Sequence, residues 1–483
     1  MVASYIAVVF YTFLVIAIGI SGARRTKSFS DFLIGGGSIG PWMTAFSYGT
    51  AYFSAVMFIG FAGKVGWGFG MSGLWIALGN SLVGVTLVWL LLAKRVRSVS
   101  AELKIHTMPE YLEARYNSPF LKVYSSVATF VFLVPYSAAV FIGLTYLLKI
   151  TFAIPYEYML VFMGVLTGIY LILGGYKSMA SVDIYFGIMM ILGVAVLVAS
   201  SVAKAGSLEI IFSRLREIDP RLVAPVGPPG FWPLFSLVVL TSVGPFAMPQ
   251  LIQKFYGVKD ERSIRIGTVV STGFALLATV GAYFTGALTR VFLTPQANPG
   301  AWKAAADGTR RLIPEALMPE LLRTVIPGAL SGVILLLVLA ASMSTLAAMV
   351  LVSGSTIAKD LYHGFIKRDA SDAALTRAIR IASAAFILIS MGVAYLRPAI
   401  VVTIISISWG AIAAVMLGPF LWGLFSKRVN AFGASASAVV SLVICLALFI
   451  AWGAPKAPQA ASLSMLSSLV LPPILSLGGR RRQ

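Results

Sequence analysis

The sequence predicts an all-α integral membrane protein, a single membrane domain of about 13 spanning helices. Three observations carry that expectation. The 483 residues are 59% hydrophobic and only 11% charged, where soluble proteins carry about a quarter charged residues. Apolar runs of about 17–25 residues, the length that crosses a bilayer, recur along the whole chain. Two of those runs, five apart in order, are interrupted by Gly, Pro and hydroxyl residues, and paired interruptions mark inverted-repeat transporters.

By run length the spans are Val2–Ile20, Ile39–Lys64, Phe69–Leu92, Phe120–Leu148, Pro155–Leu173, Ala180–Ala203, Phe231–Phe255, Ile266–Leu293, Thr324–Ile357, Ala378–Tyr395, Ile400–Leu424, Ala431–Trp452 and Ala460–Leu477. The first has no basic segment before it, and Arg24-Arg25 follow it, so it is expected to stay as a helix and not to be cleaved as a signal. The domain is expected to divide into a first helix and loop (1–38), a core (39–428) and two C-terminal helices (429–483).

The formal net charge is +20, with 37 Lys and Arg. Of these, 24 fall in Arg24–Lys27, Lys94–Lys122, Lys177, Lys254–Arg265, Lys359–Arg380, Lys427-Arg428 and Arg480–Arg482, and most of the other 13 lie in two long loops, where charge bias matters less. Alternate loops therefore carry the charge, which is the positive-inside pattern of an N-terminus outside and a C-terminus in the cytoplasm. The pattern excludes a nucleic-acid reading and leaves contact with anionic lipid. No obligatory protein partner is evident, and an inner (cell) membrane location is expected. The single Cys445 permits no disulfide and reads as packing. No Walker A loop is present. "GWGFGMSG" (Gly66–Gly73) lacks the strand a nucleotide loop needs and reads as helix packing at a turn. His106 and His363 have no nearby nucleophile or ligand partner.

Polar atoms at membrane depth carry the functional signal, because a spanning helix gains nothing from them. The second span reads "GPWMTAFSYGTAYFSAVMFIG", and Gly49 is expected to let it break near Thr50–Phe53. The seventh reads "VVLTSVGPFAMPQLIQ", where Pro245 and Pro249 remove donors. In the ninth, Ala341, Ser344 and Thr345 share one helix face at i, i+3 and i+4. Hydroxyls and freed carbonyls are hard oxygen donors that suit Na+. The same spacing also fits small-residue packing with hydroxyls bonded to their own helix. Asp183 lies just inside the sixth span. An intramembrane carboxylate is by default a functional candidate, and pairing with Lys177 at the interface is the plainer alternative.

Four segments, "DFLIGGGSIGPWMTAFSYGTAYFSAVMFIG", "HTMPEYLEARY", "LILGGYKSMASVD" and "AASMSTLAAMVLVSGSTIAKDLY", together resemble the sodium:solute symporter family. The resemblance implies a leucine-transporter-like fold: two inverted five-helix repeats with one extra helix in front. It places Na+, the coupling ion, on Thr50, Phe53, Ala341, Ser344 and Thr345, and implicates Asp183 in a Na+ release route or a second site. Proline permeases of the family carry an aspartate where this chain has Tyr52. The aligned glutamine is Phe186, and the aligned aromatic pair falls on Thr241 and Pro245.

The function expected is Na+-coupled symport of a small organic solute, by alternating access and without enzymatic chemistry. A carboxylate such as pantothenate or a monocarboxylate, or an amino acid, is the expected solute. Half-helix N-termini carry partial positive charge that favours a carboxylate. Tyr48, Tyr52, Ser54, Tyr136, Phe246, Met248 and Trp409 are the expected lining residues. A proton-coupled symporter of the same fold and a transporter-like solute sensor are the alternatives. The tail "GGRRRQ" carries no signalling domain, which disfavours the sensor, and the absence of a charged ring or repeated filter disfavours a passive channel.

Overall fold

Proline opens several of the helices. In the computed structural model, residues 2–25, 33, 40–304 and 309–479 are described, with side chains for all of these except 22–25, 170–175, 177, 178 and 181. The first helix, α1 (Val2–Arg25), runs one turn past the expected span. Pro41 then opens α2 (Pro41–Tyr52), its fixed φ suiting the first turn. That helix ends where Phe53 turns extended, at φ −105° and ψ 113°. A π-helical turn, Val56–Phe61, restarts the helix and leads into α3 (Ala62–Phe69). Gly70, at φ +60°, makes the next turn possible. Residues 74–103 return as α4.

A short helix, α5 (Met108–Tyr116), is capped by the Thr107 side chain. It is followed by α6 (Pro119–Phe152) and α7 (Tyr156–Ala205). Next come α8 (Leu208–Ile218), α9 (Phe231–Val243) and α10 (Pro249–Tyr256). The second break lies between the last two. A 3-10 turn, Gly244–Ala247, passes into an extended Met248 (ψ 111°), and Pro249 opens the new half-helix. The remaining helices are α11 (Glu261–Ala287), α12 (Pro314–Val325), α13 (Ser331–Ser355), α14 (Asp372–Leu396), α15 (Val401–Phe425), α16 (Ala431–Trp452) and α17 (Ala457–Gly479). One antiparallel hairpin, Trp302–Ala304 with Arg310–Leu312, interrupts the helical pattern.

Among the described residues, 11 helices are long and apolar enough to cross a membrane, against the 13 expected spans. The difference lies at two joints. The second and third spans run together through the Gly70 turn, so residues 56–103 form one apolar stretch. The fifth and sixth merge in the 50 residues of α7. At 1.5 Å per residue such a helix would run about 75 Å, against a hydrocarbon core of about 30 Å. Within it only Val182–Ala205 counts among the 11, and Tyr156–Ile169 is a shorter apolar segment.

Gly49 does not work as a hinge. It lies inside α2, one turn before the break. A Cβ there would come 2.5 Å from the Phe274 ring of α11. The residue is glycine because α11 packs against it, and the break falls on Phe53. The extra helix α1 lies across α7 and α13: Tyr11 donates to the Leu339 carbonyl at 3.0 Å and stacks on Phe186 at 5.7 Å. Cys445 is buried where α15 meets α16, as packing predicts. The "HTMPEYLEARY" segment docks α5 on neighbouring helix ends. Thr107 donates to Asp360 at 2.7 Å, and Arg115 reaches the carbonyls of Gly423 and Ser426.

Candidate ion and solute site

The end of α2 lies against the middle of α13 and α7, and there the polar residues of three helices meet. Thr50, Asp183, Ser344 and Thr345 are all fully buried. Ser344 Oγ lies 2.6 Å from Asp183 Oδ1 and 2.8 Å from Thr50 Oγ1. Thr345 Oγ1 lies 3.2 Å from the Thr50 carbonyl and 3.1 Å from the Ala341 carbonyl.

The hydrogen count is decisive. Thr50 spends its own hydroxyl hydrogen on the Phe46 carbonyl, at 2.7 Å. Ser344 has one hydrogen facing two acceptors, and so has Thr345. Oxygens therefore outnumber hydrogens in a dry place, where each unshared lone pair is costly. Asp183 Oδ2 has no hydrogen-bond partner among the described residues. A small hard cation satisfies all of these oxygens at once.

The structure thus brings together Thr50, Ala341, Ser344 and Thr345 as expected, and adds Asp183 to them directly. Asp183 is not an interfacial carboxylate: it is buried on the same cluster. Its alternative partner Lys177 lies outside the described side chains. Phe53 marks the break itself, its ring stacked on Tyr52 at 4.4 Å.

Beside the break lies a cavity of about 30 Å³, room for roughly one water. Tyr52, Phe53, Tyr136 and Trp409 line it, with Asn80, Thr241, Tyr283 and Ile405. Trp409 stacks on Tyr52 at 5.9 Å and meets Tyr136 edge-on at 5.7 Å. The Tyr52 hydroxyl donates to the Thr241 carbonyl, a short contact that ties α2 to α9. With its amide nitrogen turned to Thr241, Asn80 donates to that residue's hydroxyl at 2.7 Å. A larger cavity, about 360 Å³, opens between Ser4, Leu147, Arg323 and Leu335. None of the ion cluster lines it.

Of the seven expected lining residues, Tyr52, Tyr136 and Trp409 line the cavity. The other four do not. Tyr48 donates to the Gly84 carbonyl at 3.1 Å and packs on Trp89 and Phe255. Ser54 turns back to accept the Val56 N–H at 3.2 Å. Phe246 and Met248 are buried in the second break.

Ser342 went unanticipated. Its hydroxyl accepts the Ala55 N–H at 3.1 Å. Ser342 and Ser54 together spend two donors at the start of the restarted helix, so those donors are not offered to a solute carboxylate. Asn80 was legible in principle, as an amide in mid-span is as costly as other buried polar groups.

Comparison with known proteins identifies the family and the fold. The family model described as the sodium:solute symporter family matches residues 32–441. The chain is 29% identical over 460 residues to a sodium/proline symporter of Haemophilus influenzae, covering 92% of this chain and 88% of the relative. It is 28% identical to a sodium/pantothenate symporter of Escherichia coli, covering 89% and 88%. Its fold is similar to that of a Na+-coupled sialic acid symporter in a substrate-bound outward-open state, with TM-score 0.78, 18% identity and 98% of each chain covered. It is also similar to MhsT in complex with L-phenylalanine, with TM-score 0.52, 16% identity and 91% of this chain and 98% of that one covered. The leucine-transporter-like fold expected from the sequence is therefore the observed one, and the chain belongs to the sodium:solute symporter family.

Proposed function

We propose that this chain drives a small organic solute across the cell membrane by Na+ symport, with Na+ held by Thr50, Ala341, Ser344, Thr345 and Asp183. The observation that carries this reading is the hydrogen-poor oxygen cluster between α2, α7 and α13. The Thr50 carbonyl and hydroxyl sit beside the break in α2, and Ser344 and Thr345 sit on α13. An ion bridging them strengthens with every oxygen it reaches, so it favours the conformation that holds the two helices at one separation. Coupling follows if the solute prefers that same conformation.

The solute binds beside Tyr52, Tyr136 and Trp409. Among the described residues, no ionised side chain lines that cavity. A carboxylate or amino acid there is held by neutral donors, such as tyrosine hydroxyls and the Trp409 indole N–H, and by ring packing. That N–H is buried and has no partner among the described residues. Proline and pantothenate, the solutes named for the two relatives above, both fit the expected class of small carboxylates. The charge pattern supports a cell-membrane location with the N-terminus outside and the C-terminus cytoplasmic.

Proteoliposome uptake tests the reading. A panel of labelled carboxylates, amino acids and sugars is offered under an inward Na+ gradient, then with choline replacing Na+ at fixed pH. Accumulation that needs Na+ supports it. Accumulation that survives choline and follows a pH gradient overturns Na+ coupling in favour of protons.

A further inference from the structure

Lys254 lies in the last turn of α10 (Pro249–Tyr256). Its sequence position groups it with the basic residues of a cytoplasmic loop, but the structure buries it completely. Its Nζ stands 3.9 Å from Met179 Sδ and 5.0 Å from the centre of the Tyr176 ring. Tyr176, Met179 and Asp183 follow one another at i, i+3 and i+7 on α7, so they share one face. The ammonium lies along the face that carries the ion-site carboxylate.

Among the described residues, no carboxylate comes within 4.0 Å of Nζ, the limit for an ion pair. Lys254 and Asp183 thus lie along the same face of α7 without forming an ion pair. The polar atoms around them have bonding capacity to spare. Asp183 Oδ2, Ser47 Oγ, Tyr176 Oη and the Gln250 amide are buried without hydrogen-bond partners. Among the described residues this buried ammonium meets a thioether and a ring, which is costly company for a charge. A buried carboxylate that loses its cation is costly for the same reason.

We propose that Lys254 is a tethered counter-cation that competes with Na+ for Asp183 and takes over the carboxylate when Na+ leaves. This rests on the Na+ reading above. While Na+ is bound, Asp183 faces Ser344 and the ion, and Lys254 waits along α7. When Na+ departs, the ammonium moves onto Asp183, which spares the empty carrier a bare buried charge. Na+ release is thereby made easier, and Na+ affinity is held below what the oxygen cluster alone would give.

The test is equilibrium binding of radioactive 22Na+ to the purified full-length protein. Removing the competitor in Lys254→Gln should lower the half-saturating Na+ concentration by about tenfold, whereas a lysine that only supports the fold would weaken binding when replaced. Lys254→Met serves if the glutamine variant does not fold. Lys254→Arg, which keeps the charge, should stay within about twofold of wild type. In an Asp183→Asn background the same Lys254→Gln change should have no effect, because the contested group is gone.

Weaker or unchanged binding in a folded Lys254→Gln or Lys254→Met protein overturns the proposal. So does equal tightening with and without Asp183. If Ser344→Ala fails to weaken 22Na+ binding, the ion-site reading itself falls. If Ser344→Ala weakens it while the Lys254 variants do not tighten it, only the counter-cation is lost.

Discussion

Ser344 and Asp183, 161 residues apart in sequence, meet at 2.6 Å in the interior of the helix bundle. The contact joins α13 to α7, and Thr50 joins both to the break in α2. Removing either hydroxyl on α13 takes one oxygen from the cluster. Ser344→Ala or Thr345→Ala should raise the Na+ concentration for half-maximal uptake by about tenfold or more, since hydrogen bonds and contacts to charged partners are the strong ones. Uptake assayed across a Na+ series checks this. Wild-type Na+ dependence in both variants would remove these residues from the ion site.

Asp183→Asn keeps the size of the side chain and removes its charge. The neutral amide leaves the remaining neutral oxygens to hold the ion. Turnover should fall by about tenfold while solute half-saturation, measured at saturating Na+, moves less than about threefold. An unchanged maximal rate would take the carboxylate out of the transport cycle.

Packing around the break makes a separate prediction. Gly49→Ala drives a methyl group into the Phe274 ring, 2.5 Å from its nearest atom. Overpacking of this kind costs about 1–3 kcal/mol. The thermal unfolding midpoint of the purified protein should drop, and Phe274→Leu should restore part of the loss by giving the methyl group room. If Gly49→Ala alone is neutral, the close approach of α2 and α11 is not what requires glycine.

Glu315 supplies the pH-dependent prediction. It lies on α12, outside the spanning helices, and accepts the Val401 N–H at 2.8 Å where α15 begins. Burial pushes its carboxyl above the usual value of 4.5. The folded protein therefore holds this proton more tightly than the unfolded chain does. Stability from this group is full below 4.5 and declines as pH rises through the elevated value. Glu315→Gln keeps an acceptor for Val401 and has no proton to lose. Unfolding midpoints measured across a pH series from 4 upward should slope less in that variant. An identical slope would show that another group sets the pH response.

The architecture was legible in the sequence because bilayer length and backbone satisfaction leave few options for an apolar chain. Pro245 and Pro249 announced the second break, and the "GPWMTAF" to "FIG" stretch announced the first. Ser344 and Thr345 were legible as one face of a helix. That they touch Thr50 was not, since helical spacing says nothing about a partner nearly 300 residues away. Gly49 was misjudged because a glycine can mark a bend or a close neighbour, and only the position of Phe274 decides between them. Tyr48 and Ser54 were expected in the solute cavity from their place near the break. They are spent instead on Gly84 and Val56, bonds that one helix's pattern does not reveal. Lys254 counted as loop charge until burial separated it from its neighbours.

The bond from Tyr52 to the Thr241 carbonyl spans the cavity wall between the two interrupted helices. At the proposed solute site it fills a place that an entering molecule would claim. With Tyr52 withdrawn, the Thr241 carbonyl keeps the Asn80 amide at 3.2 Å and has room for one donor from an entering solute. Loss of this bond removes one tie between α2 and α9.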